Sequence, residues 1–502
     1  MGITGTGVMH ESPYAQGSVE LLQITRAPIA EWKPSRFNAR NRTDDGRLIL
    51  WNTLAGAITV FEAHQVQAIE ALLTRKGIRA KEEGMVKYLH ERGYLVSKDT
   101  DELRKLRLLI GQGHYRTDKL EIIAMASEDC NFRCVYCYEE FKRGTMRPEV
   151  REGIKNLVRS RLPELRQLSL SWFGGEPLYG WEAVADLGPF FAETAQEHKL
   201  AYMSHMTTNA YLLTADRADK LLEWGCRHFQ ITLDGVAEEH DKRRVGRDGS
   251  ATFATIIDNL RSLKARDDQF FVSLRHNFDR DSVPRMGEFI DLLSAEFGGD
   301  ARFRLDLHAI GKWGGKNDES LNVCGTDSRE VLVQIKRSAR EKNVSVNSGV
   351  AGMAGIATQL CYAARPNNFL IGADGKVMKC TIMLDTDPRN IVGHLSADGS
   401  MALDYDRMSA WTDPYFEHDH VCKSCHVVPM CQGSSCPMVR IISTDRPCLP
   451  VKLNLRNELI STLEDREQRA RFVAVPAHGV APPRELAATA TTTAFLPPIG
   501  AD

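Results

Sequence analysis

The chain has 502 residues, 43% apolar and 26% charged, with a formal net charge of −2, a length that predicts two or three domains. So even a balance gives no strong field to draw in a polyanion or an anionic bilayer, and no apolar run approaches the roughly 20 residues that span one. Met1–Gly17 has no basic stretch followed by an apolar core, so the reading is a cytoplasmic protein with neither nucleic acid nor membrane as partner.

Residues 1–18 read as a flexible N-terminus. From 19 to 117 the pattern predicts a winged-helix-like module. Arg47–Trp51 and Ala57–Phe61 read as strands about a turn from Asn52 to Gly56. Helices follow near 62–74, where Val66, Ile69, Leu72 and Leu73 keep helical spacing, and near 82–92; Tyr94–Ser97 closes as a strand. Residues 118–345 alternate between strand and helix patterns. The strand candidates are Leu120–Ala126, Leu168–Phe173, Ala201–Met206, His228–Leu233, Phe270–His276 and Phe303–His308. Helical faces lie between them, such as Val150, Ile154, Leu157, Val158 and Leu162 over 148–162, and Phe253, Ile256, Ile257, Leu260 and Leu263 over 252–263. This order predicts an α/β fold, a partial (βα)6 TIM-like barrel with its chemistry at the carboxyl ends of the strands. Residues 346–472 carry much Gly, Pro and Cys with little periodicity, so no large apolar core is expected there and metal is expected to organise the segment. A helix near 452–472 closes it, and the tail 473–502, rich in Ala, Thr and Pro, reads as disordered.

The chain has twelve cysteines. A reducing cytosol does not favour a disulfide framework, and clustered thiols there point to metal. Cys130, Cys134 and Cys137 fall within eight residues, just past the first barrel strand. A [4Fe–4S] cube takes four thiolates, so three local ones leave an iron open, and an open position is where substrate chemistry occurs. A zinc ion would want a fourth local ligand, and no His lies nearby. Polar clusters end the next strands: Gly174-Gly175-Glu176-Pro177, Thr207-Thr208-Asn209, Thr232-Leu233-Asp234-Gly235 and Arg275-His276-Asn277. Together with the Cys-x3-Cys-x2-Cys spacing, this series resembles the radical S-adenosylmethionine (SAM) superfamily. The resemblance implies that the amino and carboxylate groups of SAM fill the open iron. An electron then cleaves the sulfonium C–S bond to give a 5′-deoxyadenosyl radical. It further implies Tyr136 beside the adenine, Gly174, Gly175, Glu176 and Pro177 about the SAM amino group, and Thr208, Asn209, Asp234 and Arg275 as cofactor contacts. The stretch from Asp234 through Glu239, His240 and Asp241 to Arg244 resembles peptide-modifying members, and equally reads as a solvated charged loop.

Seven further cysteines, Cys361, Cys380, Cys422, Cys425, Cys431, Cys436 and Cys448, lie in the last third of the chain. Their layout resembles the SPASM domain, which carries auxiliary iron–sulfur clusters; the four residues between Cys431 and Cys436, where three are usual, read as an insertion. The resemblance implies one cluster on Cys422, Cys425, Cys431 and Cys448 and another on Cys361, Cys380 and Cys436. The position six residues before Cys361 is Gly355, so the second cluster has an open iron or a distant ligand. Cys324 is a candidate for that ligand, although a lone cysteine is more often a small buried residue, which is also the reading for Cys226.

The family thus implies SAM and three [4Fe–4S] clusters, one SAM-binding and two auxiliary. It implies a reducing partner such as flavodoxin or ferredoxin, and a precursor peptide or protein substrate. The reaction expected is a thioether, carbon–carbon or related modification of a ribosomally made peptide. An anaerobic sulfatase maturase, forming formylglycine, is the alternative, but Thr381 stands where that branch has an acidic base. The N-terminal module resembles winged-helix modules that bind leader peptides by strand addition, or else it is a structural extension packed on the barrel. An electron carrier or zinc-binding module without catalysis is the reading from another class. The catalytic acid or base stays unassigned; His205, His276, Asp306 and His308 lie at or near strand ends.

Overall fold

A computed structural model describes residues 31–74, 78–79, 83–325, 328–347, 355–358, 360–443 and 445–474. The expected loose N-terminus and nearly all of the expected disordered tail lie outside these residues.

The N-terminal part holds two small sheets. β1 (Glu31–Pro34) pairs antiparallel with β5 (Ile78–Arg79) and β6 (Leu95–Ser97). β2 (Asn38–Arg42), β3 (Leu48–Asn52) and β4 (Ile58–Phe61) form an antiparallel meander. All five residues of β3 are buried, because both of its faces are covered. Leu48 and Leu50 pack with Val66, Ile69, Val86, Leu89 and Tyr94 of the module's own helices and loops. Ile49 and Trp51, on the opposite face as strand alternation requires, pack with Val427, Met430, Cys431, Leu449 and Leu459. The module therefore sits on the cysteine-rich segment, where the sequence suggested the barrel. A helix, Glu102–His114, capped by the Asp101 side chain on the Arg104 amide, leads to the barrel.

Six parallel strands follow in the spatial order of the chain: β7 (Lys119–Ser127), β8 (Gln167–Gly174), β9 (Ala201–Thr208), β10 (Cys226–Thr232), β11 (Phe271–Phe278) and β12 (Phe303–Ala309). β7 is buried on both faces and reads as a continuous apolar run. β8 alternates, with Leu168, Leu170 and Trp172 buried. Helices Pro148–Arg161, Trp181–Glu197 and Phe253–Lys264 contribute Ile154, Leu187 and Ile257 to the core that covers the sheet.

The sheet does not end at β7. β13 (Asn368–Ile371) pairs parallel to it, and β14 (Lys376–Met378), β15 (Ile391–Leu395) and β16 (Met401–Leu403) continue antiparallel into a ten-stranded sheet. This corrects the expectation that the cysteine-rich segment lacks an apolar core: Phe369, Leu370, Ile371, Val377, Val392 and Leu395 are buried in the main one. Strands of three to five residues are too short to register as a period. Among the described residues no helix is long and apolar enough to cross a membrane.

Candidate active site

The loop after β7 carries Cys130, Cys134 and Cys137 across the carboxyl ends of the strands. It is fastened to the end of β8 by backbone bonds, Gly175 N–H to Ser127 O at 3.0 Å and Glu176 N–H to Asp129 O at 3.1 Å. The glycines make this approach possible: a Cβ at Gly175 would lie 2.6 Å from Asp129 O and 3.1 Å from Cys130 Cβ. Gly174 adopts φ +120, open to glycine but not to side chains with a Cβ.

The three thiols line one cleft enclosing about 1060 Å3 of non-atom space, part of it open to solvent. Tyr136, Gly174, Gly175, Glu176, Thr208, Asn209 and Arg275 line the same cleft. Cys130, just past β7, and Ala309 of β12 both border it. A flat sheet would set its first and sixth strands about 24 Å apart, so these strands curl about the cleft. Burial pushes the Cys137 thiol up to about 12 and the Cys130 and Cys134 thiols upward as well. A buried thiolate needs a cation beside it, and a bound metal is one that stabilises it.

Glu176 is fully buried and organises the wall. Its carboxylate accepts from the Leu178 amide at 2.9 Å, the Thr208 hydroxyl at 2.7 Å and the Asn209 amide at 2.7 Å; burial still holds its pKa above the usual carboxylate range. Pro177 opens the short 3-10 turn behind it. The Tyr136 hydroxyl donates to Asp234 Oδ2 and accepts from Arg244 Nη1 at 2.6 Å and Asn277 Nδ2 at 3.2 Å. Asp234 thus reaches the cleft through Tyr136, and its other oxygen takes the Asn277 amide at 3.0 Å. Arg275 Nε donates to Asn277 Oδ1 at 2.7 Å, while its Nη1 is buried with no hydrogen-bond partner among the described residues.

Several lining residues escaped the sequence reading. Gln230 lines the cleft, two residues before Thr232 of the cluster read at the end of β10, as strand alternation could have suggested. Arg244 and His240 are buried, which corrects the solvated-loop reading at those two positions. Tyr138, Glu139 and Phe141 line the cleft directly after the triplet. Among the described residues Glu139 Oε2 is buried without a hydrogen-bond partner; burial, with the charges of Glu128 and Glu176, raises that carboxyl to about 8. Trp313 and Ile382, from distant segments, also line it, and no local pattern announced them. His276 Nδ1 meets Leu233 O at 2.9 Å, and His308 pairs with Asp306 at 2.9 Å.

The seven cysteines of the last third of the chain fall into two groups. Cys431 is close enough to Cys422, Cys425 and Cys448 that ionising one raises the cost of ionising it. Cys361 stands in the same relation to Cys380 and Cys436. Burial pushes Cys431 and Cys436 up to about 12. Arg440 Nη2 lies 3.4 Å from Cys422 Sγ and Lys452 Nζ 3.4 Å from Cys448 Sγ. The trio adjoins the cleft: Thr381 follows Cys380, its carbonyl accepting from Tyr138 at 3.2 Å and its hydroxyl meeting Tyr362 at 2.6 Å. Arg143 pins the triplet loop to this region, with Glu128 at 2.6 Å and Asp385 at 2.8 Å; Lys376 joins at 3.0 Å from Asp385. The bond from Arg143 holds Asp385 down at about 2. Cys324 packs at the margin of the main core and Cys226 is buried within it. Among the described residues no three His, Cys, Asp or Glu side chains converge on a point that would hold a single ion.

Comparison with known proteins adds the following. A model of the family described as the Radical SAM superfamily matches residues 125–276. The Fe-coproporphyrin III synthase of Methanosarcina barkeri is 29% identical over 168 residues, 33% of this chain and 39% of that protein. The chain therefore spans well under two thirds of that relative. The GTP 3′,8-cyclase of Microcystis aeruginosa is 27% identical over 269 residues, 50% of this chain and 78% of that one. Among solved structures, native anSMEcpe with bound AdoMet and Cp18Cys peptide superposes with a TM-score of 0.50 at 18% identity, covering 71% of this chain and 98% of that one. This last is a likeness of fold.

Proposed function

From the premise that this chain carries a radical SAM domain and is an enzyme of that superfamily, with the SAM and [4Fe–4S] cluster the family implies, we propose that it abstracts hydrogen from a peptide substrate and installs a crosslink, thioether or carbon–carbon, or a related modification. When bound, the reduced cluster supplies the electron that splits SAM into methionine and a 5′-deoxyadenosyl radical; that chemistry belongs to the cofactor. The chain's residues hold and orient the reagents. Cys130, Cys134 and Cys137 would take three irons. The backbone of Gly174 and Gly175, with Glu176 held rigid behind it, would receive the SAM amino group; Pro177 fixes the turn. Thr208, Asn209 and Arg275 would meet the rest of the methionine moiety and the ribose, and Tyr136, steadied by Asp234, would flank the adenine.

The observation that carries this reading is the convergence of three closely spaced thiols and Gly174–Glu176 on one cleft at the carboxyl ends of parallel strands. Three local thiols leave one iron of a cube open, whereas a tetrahedral zinc would want a fourth local ligand. We extend the proposal to two auxiliary clusters, one on Cys422, Cys425, Cys431 and Cys448 and one on Cys361, Cys380 and Cys436. The grouping of those thiols supports it. A flavodoxin or ferredoxin would supply electrons. The peptide partner rests on the likeness to native anSMEcpe, which holds a bound Cp18Cys peptide, and on a cleft open to solvent. We divide the chain into a winged-helix-like module at 19–117, a radical SAM core at 118–345 and a SPASM domain with its closing helix at 346–472. Among the described residues β4 and β6 are outer strands of the N-terminal sheets, and an edge of that kind offers a leader peptide a place to add a strand. Thr381, its hydroxyl engaged by Tyr362, puts no carboxylate after Cys380, which supports peptide crosslinking over formylglycine formation.

The test is direct. After anaerobic cluster reconstitution and reduction, the protein should convert SAM to 5′-deoxyadenosine, and Cys134→Ala should abolish the conversion. Turnover that survives in the Cys134 variant would remove the triplet from the mechanism. No turnover in a wild-type chain that holds its iron would leave a carrier.

A further inference from the structure

The quartet and the trio differ in what faces their sulfurs. Two cations donate to the quartet, Arg440 Nη2 to Cys422 Sγ and Lys452 Nζ to Cys448 Sγ, each at 3.4 Å. Arg440 is held for this. Its Nη1 lies 3.2 Å from Asp419 Oδ2, its Nε donates to Gly433 O at 3.3 Å, and its guanidinium lies 5.2 Å from the centre of the Tyr415 ring. Asp419 also takes the backbone amides of Val421 and Cys422 at 2.9 and 3.3 Å, so one carboxylate orients both the thiol and its cationic donor. Near the trio, by contrast, the donors on Cys380 Sγ are neutral: the Ile382 amide at 3.4 Å, the Met383 amide and the Tyr362 hydroxyl. The cations closest to Cys361 are engaged elsewhere: Arg365 with Glu121 at 3.0 Å, and Lys379 with the carbonyls of Arg365 and Asn368 at 2.7 and 2.6 Å.

Resting on the auxiliary-cluster reading above, we propose that Arg440 and Lys452 set the reduction potential of the cluster held by Cys422, Cys425, Cys431 and Cys448, raising it. Reduction adds one electron and no proton to a group already anionic. A hydrogen-bonded cation at the sulfur offsets more of the reduced form's charge than of the oxidised form's, and potentials of such clusters follow net charge and hydrogen bonds to sulfur. The two residues act through the cysteines and touch no substrate.

The experiment is a redox titration followed by electron paramagnetic resonance on the full-length, anaerobically reconstituted enzyme, with iron content measured in parallel. Arg440→Gln and Lys452→Gln should each move one midpoint potential to a more negative value, the double variant should move it further, and the other midpoints should stay. Lys452→Arg should restore the wild-type value. Unmoved midpoints with iron intact overturn the proposal. So does loss of that cluster in both single variants, since the cations would then be structural; if only Arg440→Gln loses it, Lys452→Gln decides. If Cys422→Ala leaves the iron content of the otherwise wild-type chain unchanged, the quartet holds no cluster, and the underlying reading fails instead.

Discussion

At the scale of single residues, two adjacent glycines separate stability from cluster binding. A Cβ at Gly174 would stand 2.1 Å from Ser127 O at a φ of +120. Gly174→Ala therefore combines backbone strain with overpacking, and we expect it to destabilise the chain by about 2–4 kcal/mol, read as a lowered unfolding midpoint. Gly175 has no positive φ, but its Cβ would press on Asp129 and Cys130. Gly175→Ala should leave the far-ultraviolet circular dichroism intact and lower the iron bound by the triplet; full iron content in that variant would contradict the tight fit. Tyr136 offers a third handle. Its hydroxyl joins Asp234, Arg244 and Asn277, and Arg244 is a buried cation. Tyr136→Phe leaves those partners short of a bond to a charged group, and we expect SAM affinity to fall about tenfold, measured by equilibrium binding to the reconstituted enzyme.

At the scale of elements, what the sequence disclosed depended on length and on burial of one face. The six barrel strands lie within two residues of where apolar runs predicted them, because each is long enough to show its pattern and is bounded by turn residues. Three polar clusters at their ends, from β8, β9 and β11, line the cleft, legible because a parallel sheet puts its carboxyl ends on one side. The fourth, at the end of β10, lines it with Thr232 and reaches it again through Asp234 and Tyr136. The helix Glu102–His114 went unread: its buried face is Glu102, Leu106 and Ile110, and two glycines interrupt it. β13–β16 went unread because they are short and owe their place to β7, some 240 residues upstream. β3 shows the limit most clearly. Its apolar run announced a strand, but a pattern names the buried face and not the partner, which here is the cysteine-rich segment. Trp51 is fully buried in that contact. Trp51→Ala should cost about 3–5 kcal/mol and, unlike a core substitution inside the barrel, should strip iron from the quartet before the triplet, as followed by iron analysis of variants that also lack Cys134.

At the scale of the whole molecule, one sheet connects two of the three groups of thiols. β7 leads into the triplet, β13 lies beside it, and the trio's Cys361 and Cys380 flank the hairpin of β13 and β14. The barrel is held by its own apolar core, whereas the stretch around Cys422–Cys436 is built of helices only four to six residues long. Chelation of iron should therefore open residues 415–450 first and leave β7–β9 protected, as hydrogen–deuterium exchange would record; simultaneous opening of both would contradict it. The two-sided burial of β3 also bears on biosynthesis. The ribosome makes this strand about 400 residues before the last apolar segment that covers it. Until that segment emerges, Ile49 and Trp51 face water, and the nascent chain carries an adhesive patch through most of its elongation. A trigger-type chaperone is the expected guardian of that patch, and a stalled or nonsense-truncated product would be marked for degradation by the same surface that completes the finished enzyme.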